Sequence, residues 1–445
     1  MSNVKTVFTL PLLLLLAGGC GDDLVPDEPD VDDPVASEPA ATEISVVEKK
    51  KPPCQPSTLR ADLPWFGDNR EALTAWMDEG GCASPHYKHG KPPVALFDFD
   101  NTILKNDIGD AITFYLIKNS KVLQPPAQNW KKTSKYMTDA GAAALTAACG
   151  TTVAAGSPLP TGTNLDCADE ILSMYVDNKT RAGAAAFGGH NFRRMEPTYA
   201  WTAQLAAGYT PAQLQAMAFV AATTMLAAPQ GTTQIVGTKT LNGWLRFYDQ
   251  SLDVIDGFRT RGYDVWIITA SPNPVVAAMS SMVGIPSDHV IGIRQLLDSS
   301  GRLTYSFEGC GPVANGDDSM ISYIEGKRCW VNKVIYGDKT ANAINRRPVD
   351  KRAWFGAGDS DTDIEFLRDS KYKLALNRQK KELMCFAYNN EDDAWRANPM
   401  FIEPKTSPVA LPCSTSACKD ASGASGPCRD EAGNVIPDQI DSALP

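Results

Sequence analysis

Residues 94–110 read VALFDFDNTILKNDIGD. Four apolar side chains, Val94 to Phe97, lead directly into two aspartates, Asp98 and Asp100, that are separated by one residue. The apolar run predicts a buried strand, yet two ionised carboxylates so close together repel each other and are costly to bury without partners. We therefore expect the strand to end at a site where a cation lies between the two carboxylates.

The composition sets the class of protein. The chain has 445 residues, a formal charge of −10 and 43% hydrophobic residues. These values are typical of a globular protein with two or three lobes. We exclude nucleic acid as a partner, because the balance is acidic and no basic stretch could follow a phosphate backbone.

The N-terminus has the pattern of an export signal. Residues 1–20 read MSNVKTVFTLPLLLLLAGGC, and the apolar run is too short to span a bilayer. Its end resembles a bacterial lipobox, which implies an exported lipoprotein anchored through a lipid on Cys20; a secreted protein and a retained membrane anchor are the alternatives. Residues 21–60 are rich in Asp, Glu, Pro and Val and predict a disordered tether.

The cysteine content agrees with export. Of eleven cysteines, removal of Cys20 leaves ten, and an even number in an oxidising compartment suggests disulfides whose connectivity the sequence leaves open. A zinc site on the last three cysteines is the weaker alternative, since their spacing is irregular and no histidine is nearby. The ten are Cys54, Cys82, Cys149, Cys167, Cys310, Cys329, Cys385, Cys413, Cys418 and Cys428.

Short apolar runs alternate with helical patterns along most of the chain. This alternation predicts an α/β fold with a doubly wound parallel sheet. We expect a core over residues 61–110 and 239–405, a helical insertion over 111–238, and a Cys-containing C-terminal tail over 406–445. Strands are predicted at DVWIIT, HVIGI, AWFGAGD and YKLAL, and helices at PAQLQAMAFVAATTM after Thr210, LNGWLRFYDQSLDVIDGFRTRG and PVVAAMSSMVG.

Polar residues follow several of these strands. Asp98, Thr269 and Asp359 all fall at predicted carboxyl ends, where doubly wound sheets bind ligands. The charges of the opening stretch are therefore predicted to point into a site.

Four clusters occur in a fixed order along the chain: FDFDNT, IITAS, GDKTANAI and GAGDSDTD. In these motifs the chain resembles the haloacid dehalogenase superfamily, specifically its phosphatases, including phosphoserine and phosphorylcholine phosphatases. The resemblance covers roughly residues 92–377. It implies a Rossmann-like core with an inserted helical cap and hydrolysis of a small phosphate monoester.

The resemblance also implies the roles of the catalytic residues. Asp98 would attack phosphorus to form an aspartyl-phosphate, and Asp100 would act as general acid and base. Thr269 would donate a hydrogen bond to the phosphoryl group. Lys339, at the start of a helix-like run, would stabilise the phosphoryl oxygens, with Lys333 as the runner-up.

A divalent cation is the expected partner of the carboxylates. Mg²⁺ prefers oxygen ligands and neutralises the charge that repels a nucleophilic carboxylate from a phosphate dianion. On the family pattern Asp98, the main-chain carbonyl of Asp100, Asp359 and Asp363 would hold it, although Asp363 could instead orient the lysine.

Two further residues are expected to contact the substrate. Asp107 lies nine positions after the nucleophile, where phosphoserine phosphatases have an acid that meets the substrate ammonium; alternatively it only starts a helix. Ser271 could share the phosphate. Candidate aromatics for a choline group are Phe114, Tyr115, Tyr199 and Trp201. A non-catalytic phosphate-ester-binding lipoprotein and a phosphatase of broad specificity for phosphate scavenging remain as alternative functions.

Overall fold

A parallel six-stranded sheet forms the centre of the protein, as seen in a computed structural model that describes residues 54–445. Every neighbouring pair of strands in this sheet runs parallel, in the order β6-β5-β4-β1-β2-β3. The strands are β1 (Val94–Phe97), β2 (Asp264–Pro272), β3 (Val290–Ile293), β4 (Ala353–Gly358), β5 (Ser370–Asn377) and β6 (Trp395–Pro399).

The strand order explains where a ligand can bind. All four residues of β1 are buried, and β1 lies between β2 and β4. The chain runs from β1 to β2 and β3 on one side, then returns to β4, β5 and β6 on the other. The order therefore reverses between β1 and β4, which is the position of the ligand crevice in doubly wound sheets. The predicted fold class is confirmed.

Eleven α-helices lie within residues 54–445. They are α1 (Asn69–Gly80), α2 (Ile108–Lys118), α3 (Asp139–Cys149), α4 (Leu165–Asp177), α5 (Pro197–Gln204), α6 (Pro211–Ala227), α7 (Asp249–Thr260), α8 (Asn273–Ser280), α9 (Glu325–Val334), α10 (Ile364–Arg368) and α11 (Lys381–Asn389). Short antiparallel pairs accompany them: Leu104–Lys105 with Arg246–Phe247, Thr233–Val236 with Lys239–Asn242, Gln295–Leu297 with Leu303–Phe307, Ala410–Leu411 with Gln439–Ile440, and Cys418–Lys419 with Ser425–Gly426.

Helices α2 to α6 are inserted between β1 and β2. Helix α6 begins at the predicted signal: Thr210 and Gln213 form a reciprocal capping box, and Pro211 opens the first turn. The predicted helix over 241–262 is wrong in its first half, where Lys239–Asn242 pairs with Thr233–Val236. Gly237, at φ 59°, supplies the left-handed residue of that hairpin, and helix α7 begins only at Asp249.

Five disulfides join the ten described cysteines: Cys54–Cys82, Cys149–Cys167, Cys310–Cys329, Cys385–Cys413 and Cys418–Cys428. The C-terminal segment 406–445 packs on the core. Cys413 ties it to α11, and Asn377 at the end of β5 donates to Asp441 Oδ1 at 2.6 Å and to the Ala443 carbonyl at 2.9 Å.

The predicted export signal, Cys20 and most of the predicted tether lie outside the described residues. Among residues 54–445, no helix has the length and apolar content needed to cross a membrane.

Candidate active site

A cavity of about 220 Å³ opens at the carboxyl ends of the central strands. Four successive strands in the sheet supply its polar groups. Asp98 directly follows β1, Thr269 and Ser271 lie near the end of β2, Asp359 directly follows β4, and Arg378 directly follows β5. The structure therefore brings together the strand-end residues that the sequence analysis singled out, and it adds Arg378.

Asp98 is paired with a buried lysine, Lys327. Lys327 Nζ lies 2.6 Å from Asp98 Oδ1 and 2.5 Å from Asp363 Oδ1, and all three side chains are buried. Burial alone would lower the pKa of Lys327, but the carboxylates of Asp363 and Asp98 outweigh it and raise the pKa above its usual range. Burial also raises the pKa of Asp98, and the Asp363 charge adds to this while Lys327 opposes it. Lys327 therefore supplies a cation to Asp98 but not to Asp100, whose two oxygens accept from other groups.

The prediction of Lys339 as the site lysine is wrong, and so is the runner-up Lys333. Lys339 is exposed and precedes a short 3₁₀ turn, Ala341–Ile344. Lys333 donates to the Gly309 carbonyl at 2.7 Å and lies over the Trp330 ring. Both lie farther along the chain than Lys327, which is the third residue of helix α9.

Close backbone contacts hold the start of helix α9 in place. A Cβ at Gly326 would lie 1.7 Å from the Ile321 carbonyl oxygen, so only glycine allows this approach. Ile324 is buried at φ 44°, which is unfavourable for a β-branched residue and persists only where the surrounding contacts fix it. Its N–H donates to the Thr362 carbonyl, and Cys329 joins α9 to Cys310. These constraints fix the position of Lys327.

Asp100 is held by two donors. Its Oδ1 accepts from the Ile108 N–H at 2.7 Å, and its Oδ2 accepts from Ser271 Oγ at 2.7 Å. Burial raises its pKa well above the usual range, and the nearby Asp107 charge raises it further. This shift favours the protonated form of the carboxyl group, which is the form that a general acid needs. Thr269 is buried, and its hydroxyl accepts from the Ser271 N–H at 3.0 Å.

Asp98, Asp359 and Asp363 form the acidic cluster of the site. One oxygen of each lies within 4.8 Å of the others, and all three are buried. Asp363 Oδ2 accepts from the N–H groups of Asp359 and Ser360, while its Oδ1 accepts from Lys327 and Thr362. Those four bonds use the lone pairs of one carboxylate. Asp363 therefore fixes Lys327 and the loop after β4, whereas Asp98 and Asp359 accept fewer bonds: Asp98 from Lys327, and Asp359 from Thr102 and Arg378.

Two acidic residues lie at the start of α2. Asp107 is the N-cap of α2, and its Oδ1 accepts from the Gly109 and Asp110 N–H groups at 2.7 and 3.2 Å. It also lines the cavity, so starting the helix and facing the cavity are compatible. Tyr175 of α4 donates to Asp110 Oδ1 at 2.6 Å. Burial raises the pKa of Asp110 to about 7, with the Asp107 charge contributing.

Aromatic rings also line the cavity. Tyr199 lines the cavity, as do Tyr175, Phe192 and Tyr323. Trp201, another candidate aromatic, is fully buried and donates to the Thr133 hydroxyl.

Two charged residues that contact the acidic cluster were not predicted from the sequence. Lys327 stands in EGKR, where a neighbouring arginine makes it look like a surface lysine, and no local signal marked it as buried. Arg378 directly follows the predicted strand YKLAL and Asn377. The rule that polar residues after parallel strands line the site applied to it equally.

No family model and no curated protein matches the sequence. A conserved protein of unknown function from Anaerococcus prevotii DSM 20548 aligns with a TM-score of 0.55 and 18% identity, over 77% of this chain and 94% of that chain. A protein of unknown function from Bordetella pertussis Tohama I has a TM-score of 0.40 and 18% identity, over 68% and 96% respectively.

A substrate-bound phosphoserine phosphatase structure aligns with a TM-score of 0.31 and 12% identity, over 65% of this chain and 87% of that chain. At these identities, the Anaerococcus match shows a shared fold and nothing about activity, and the two lower TM-scores support no inference. In its α/β fold and in the order of its strand-end motifs, the chain resembles the haloacid dehalogenase phosphatases.

Proposed function

We propose that the protein is a Mg²⁺-dependent phosphomonoesterase that works through an aspartyl-phosphate on Asp98. The observation that carries this proposal is the contact of Lys327 with two buried carboxylates. Lys327 Nζ contacts Asp98 and Asp363 at the switch point of the sheet, beside a carboxyl group, Asp100, whose pKa is raised by burial. A nucleophile and a proton donor thus line one cavity, and a fixed, buried cation contacts the nucleophile.

Each group has a definite part in the proposed reaction. An Asp98 carboxylate oxygen bonds to phosphorus while the bond from phosphorus to the leaving oxygen breaks, and Asp100 gives that oxygen its proton. Asp100 then takes a proton from the water that attacks phosphorus, which releases inorganic phosphate and restores Asp98. Lys327 and Thr269 hold the phosphoryl oxygens throughout.

The site fits a divalent cation. Asp98, Asp359 and the Asp100 main-chain carbonyl would hold Mg²⁺, with Asp363 supporting them through its contacts with Lys327 and the loop after β4. When bound, the ion supplies charge neutralisation between the Asp98 carboxylate and the phosphate dianion. The donors are all oxygens, which are the ligands that Mg²⁺ prefers.

We further propose a leaving group that carries an amino or choline cation. Asp107 Oδ1 is used by the backbone of α2, which leaves Oδ2 for a ligand, and Tyr199 lies in the same cavity. The helical insertion, which supplies Tyr199 and whose first helix is capped by Asp107, would act as the cap that reads the leaving group and excludes water. A broad-specificity phosphatase would instead lack any dependence on Asp107.

We also propose that the protein is exported and anchored by a lipid on Cys20. Five disulfides within residues 54–445 support an oxidising compartment. Thiol titration of the unreduced mature protein would test this, because ten free thiols would contradict it.

A phosphatase panel on the soluble domain with Mg²⁺ tests the reaction, using phosphoserine, phosphocholine, phosphoethanolamine and an aryl phosphate. We expect Asp98→Asn to lose turnover by more than about a thousandfold, since an amide cannot attack phosphorus. Circular dichroism of the variant checks that it is folded. Turnover of Asp98→Asn within about tenfold of wild type would contradict the covalent mechanism. Binding of the esters without turnover in the wild type would favour the non-catalytic binding protein.

Asp107→Asn tests the leaving group. Asparagine keeps the oxygen that caps α2 but removes the charge, so the helix start is preserved. We expect hydrolysis of the three cationic esters to fall by about 30-fold or more, as for one partly desolvated ion pair, while the aryl phosphate is hydrolysed normally. Equal losses on all four substrates would show that Asp107 only starts the helix.

A further inference from the structure

Arg378 places a second cation on the acidic cluster, at Asp359, which Lys327 does not contact. Its Nη1 donates to Asp359 Oδ2 at 2.6 Å, and the other oxygen, Asp359 Oδ1, accepts from Thr102 Oγ1 at 3.0 Å. Both oxygens of Asp359 therefore have partners in this structure. Since Asp359 is also one of the carboxylates suited to a divalent cation, the guanidinium and the ion are drawn to the same group.

Each of the two cations weakens the contact of the other with Asp359. A guanidinium does not lose its proton, so its charge stays, and it would repel an ion bound at the same carboxylate. Asp359 itself cannot move away easily, because its side chain is 1% exposed and directly follows strand β4. The contact that yields must therefore be the one made by the arginine.

Arg378 has the freedom to move that Lys327 lacks. The Lys327 side chain is 0% exposed and is held by two carboxylates, whereas the Arg378 side chain is 31% exposed and is paired with one. Arg378 also lines the cavity together with Asp107 and Tyr199. A small rotation of its long side chain would keep the guanidinium in the cavity while freeing Asp359.

We propose that Arg378 competes with the divalent cation for Asp359, and that metal binding releases its guanidinium into the cavity, where it binds an anionic group of the leaving group. The second half of this statement rests on the proposed phosphatase function. The first half concerns metal binding alone and is independent of turnover.

Calorimetric titration with Mg²⁺ tests the competition in the absence of substrate. Arg378→Gln removes the competing cation, so it should bind Mg²⁺ about tenfold more tightly than wild type. Lys380→Gln is the matched control, because Lys380 lines the same cavity and the change also removes one positive charge. The Mg²⁺ affinity of this variant should stay within about twofold of wild type. Unchanged or weaker Mg²⁺ binding by Arg378→Gln would overturn the proposal. Arg378→Lys, which keeps a charge but a weaker fit to a carboxylate, should give an intermediate affinity.

The released guanidinium is tested at saturating Mg²⁺ with phosphoserine and phosphoethanolamine, which differ only in a carboxylate. In Arg378→Gln, kcat/KM for phosphoserine should fall by about tenfold or more, while that for phosphoethanolamine stays within about twofold. Equal losses on both esters would refute a role in reading the leaving group. If wild type hydrolyses neither ester, the proposed function fails, and the calorimetric result on Arg378 still decides the competition.

Discussion

Replacing Lys327 by methionine should strongly destabilise the metal-free protein. Methionine has nearly the length of lysine and fills the same space without the charge, so the change isolates the ammonium. It leaves Asp98 and Asp363 buried and facing each other with no cation between them.

The size of the effect follows from the two contacts. For unit charges at 2.5 and 2.6 Å, an effective dielectric constant of about 20 gives roughly 6 kcal/mol of attraction for each. Desolvation of the ammonium offsets much of this gain, and the stranded carboxylates can relieve their repulsion by taking up a proton. Removal of one partner from a buried ion pair typically costs about 3 to 5 kcal/mol, which is the loss we expect for Lys327→Met.

Urea unfolding followed by tryptophan fluorescence, with intact disulfides and a chelator present, measures this loss. Lys339→Met provides the control, because the exposed side chain of Lys339 should change the free energy of unfolding by less than about 0.5 kcal/mol. Excess Mg²⁺ should return part of the stability of Lys327→Met, since it binds only the folded site. A loss below about 1 kcal/mol for Lys327→Met, or an equal loss for Lys339→Met, would refute the assignment of Lys327.

Two further predictions concern the surroundings of the site. Burial raises the pKa of Asp110 to about 7 in the folded protein, whereas its pKa in the unfolded chain is near 4. The contribution of Asp110 to folding stability is therefore complete below about pH 4 and is lost as the pH rises through 7. Between pH 5 and 8, wild type should therefore lose roughly 2 to 3 kcal/mol more unfolding free energy than Asp110→Asn, measured by urea titration; equal pH slopes would contradict the assignment. Replacing both Cys310 and Cys329 by serine should cost about 3 kcal/mol and also lower kcat/KM, because this disulfide anchors the helix that carries Lys327. Serine at both Cys418 and Cys428 should lower stability while leaving kcat/KM unchanged, and equal kinetic losses in the two double variants would contradict the anchoring role.

The sheet could be predicted because each of its strands is recognisable from its own local sequence. A strand buried on both faces reads as a continuous apolar run, as in Val94–Phe97, and the polar residue that follows marks the carboxyl end. Asp98, Thr269 and Asp359 were found in this way. The hairpin at Gly237 was missed because an apolar residue every few positions satisfies a helical pattern as well as a short strand.

The lysine that contacts Asp98 could not be identified from the sequence, because tertiary contacts decide which lysine reaches the site. Lys327, Lys333 and Lys339 all lie between the second and fourth motifs, and nothing in their local sequence distinguishes a buried lysine from an exposed one. What selects Lys327 is the close approach of Gly326 to Ile321, which only the folded chain reveals. The Asp110–Tyr175 contact, which joins two helices of the insertion, was equally beyond a single sequence.

The charges at the strand ends agree with the proposal that Lys327 is a fixed cation and Arg378 an exchangeable one. Asp98, Asp359 and Asp363 contribute three negative charges if all are ionised, and Lys327 and Arg378 contribute two positive ones, so the cluster alone keeps one net negative charge that favours a divalent cation. With that ion at Asp98 and Asp359 the sum becomes positive, which suits a phosphate dianion. If Arg378 then turns toward the substrate, the same charge serves first to neutralise Asp359 and afterwards to bind the ester. A site built on Lys327 alone would leave Asp359 buried and unpaired whenever the metal was absent, at a cost that Arg378 removes.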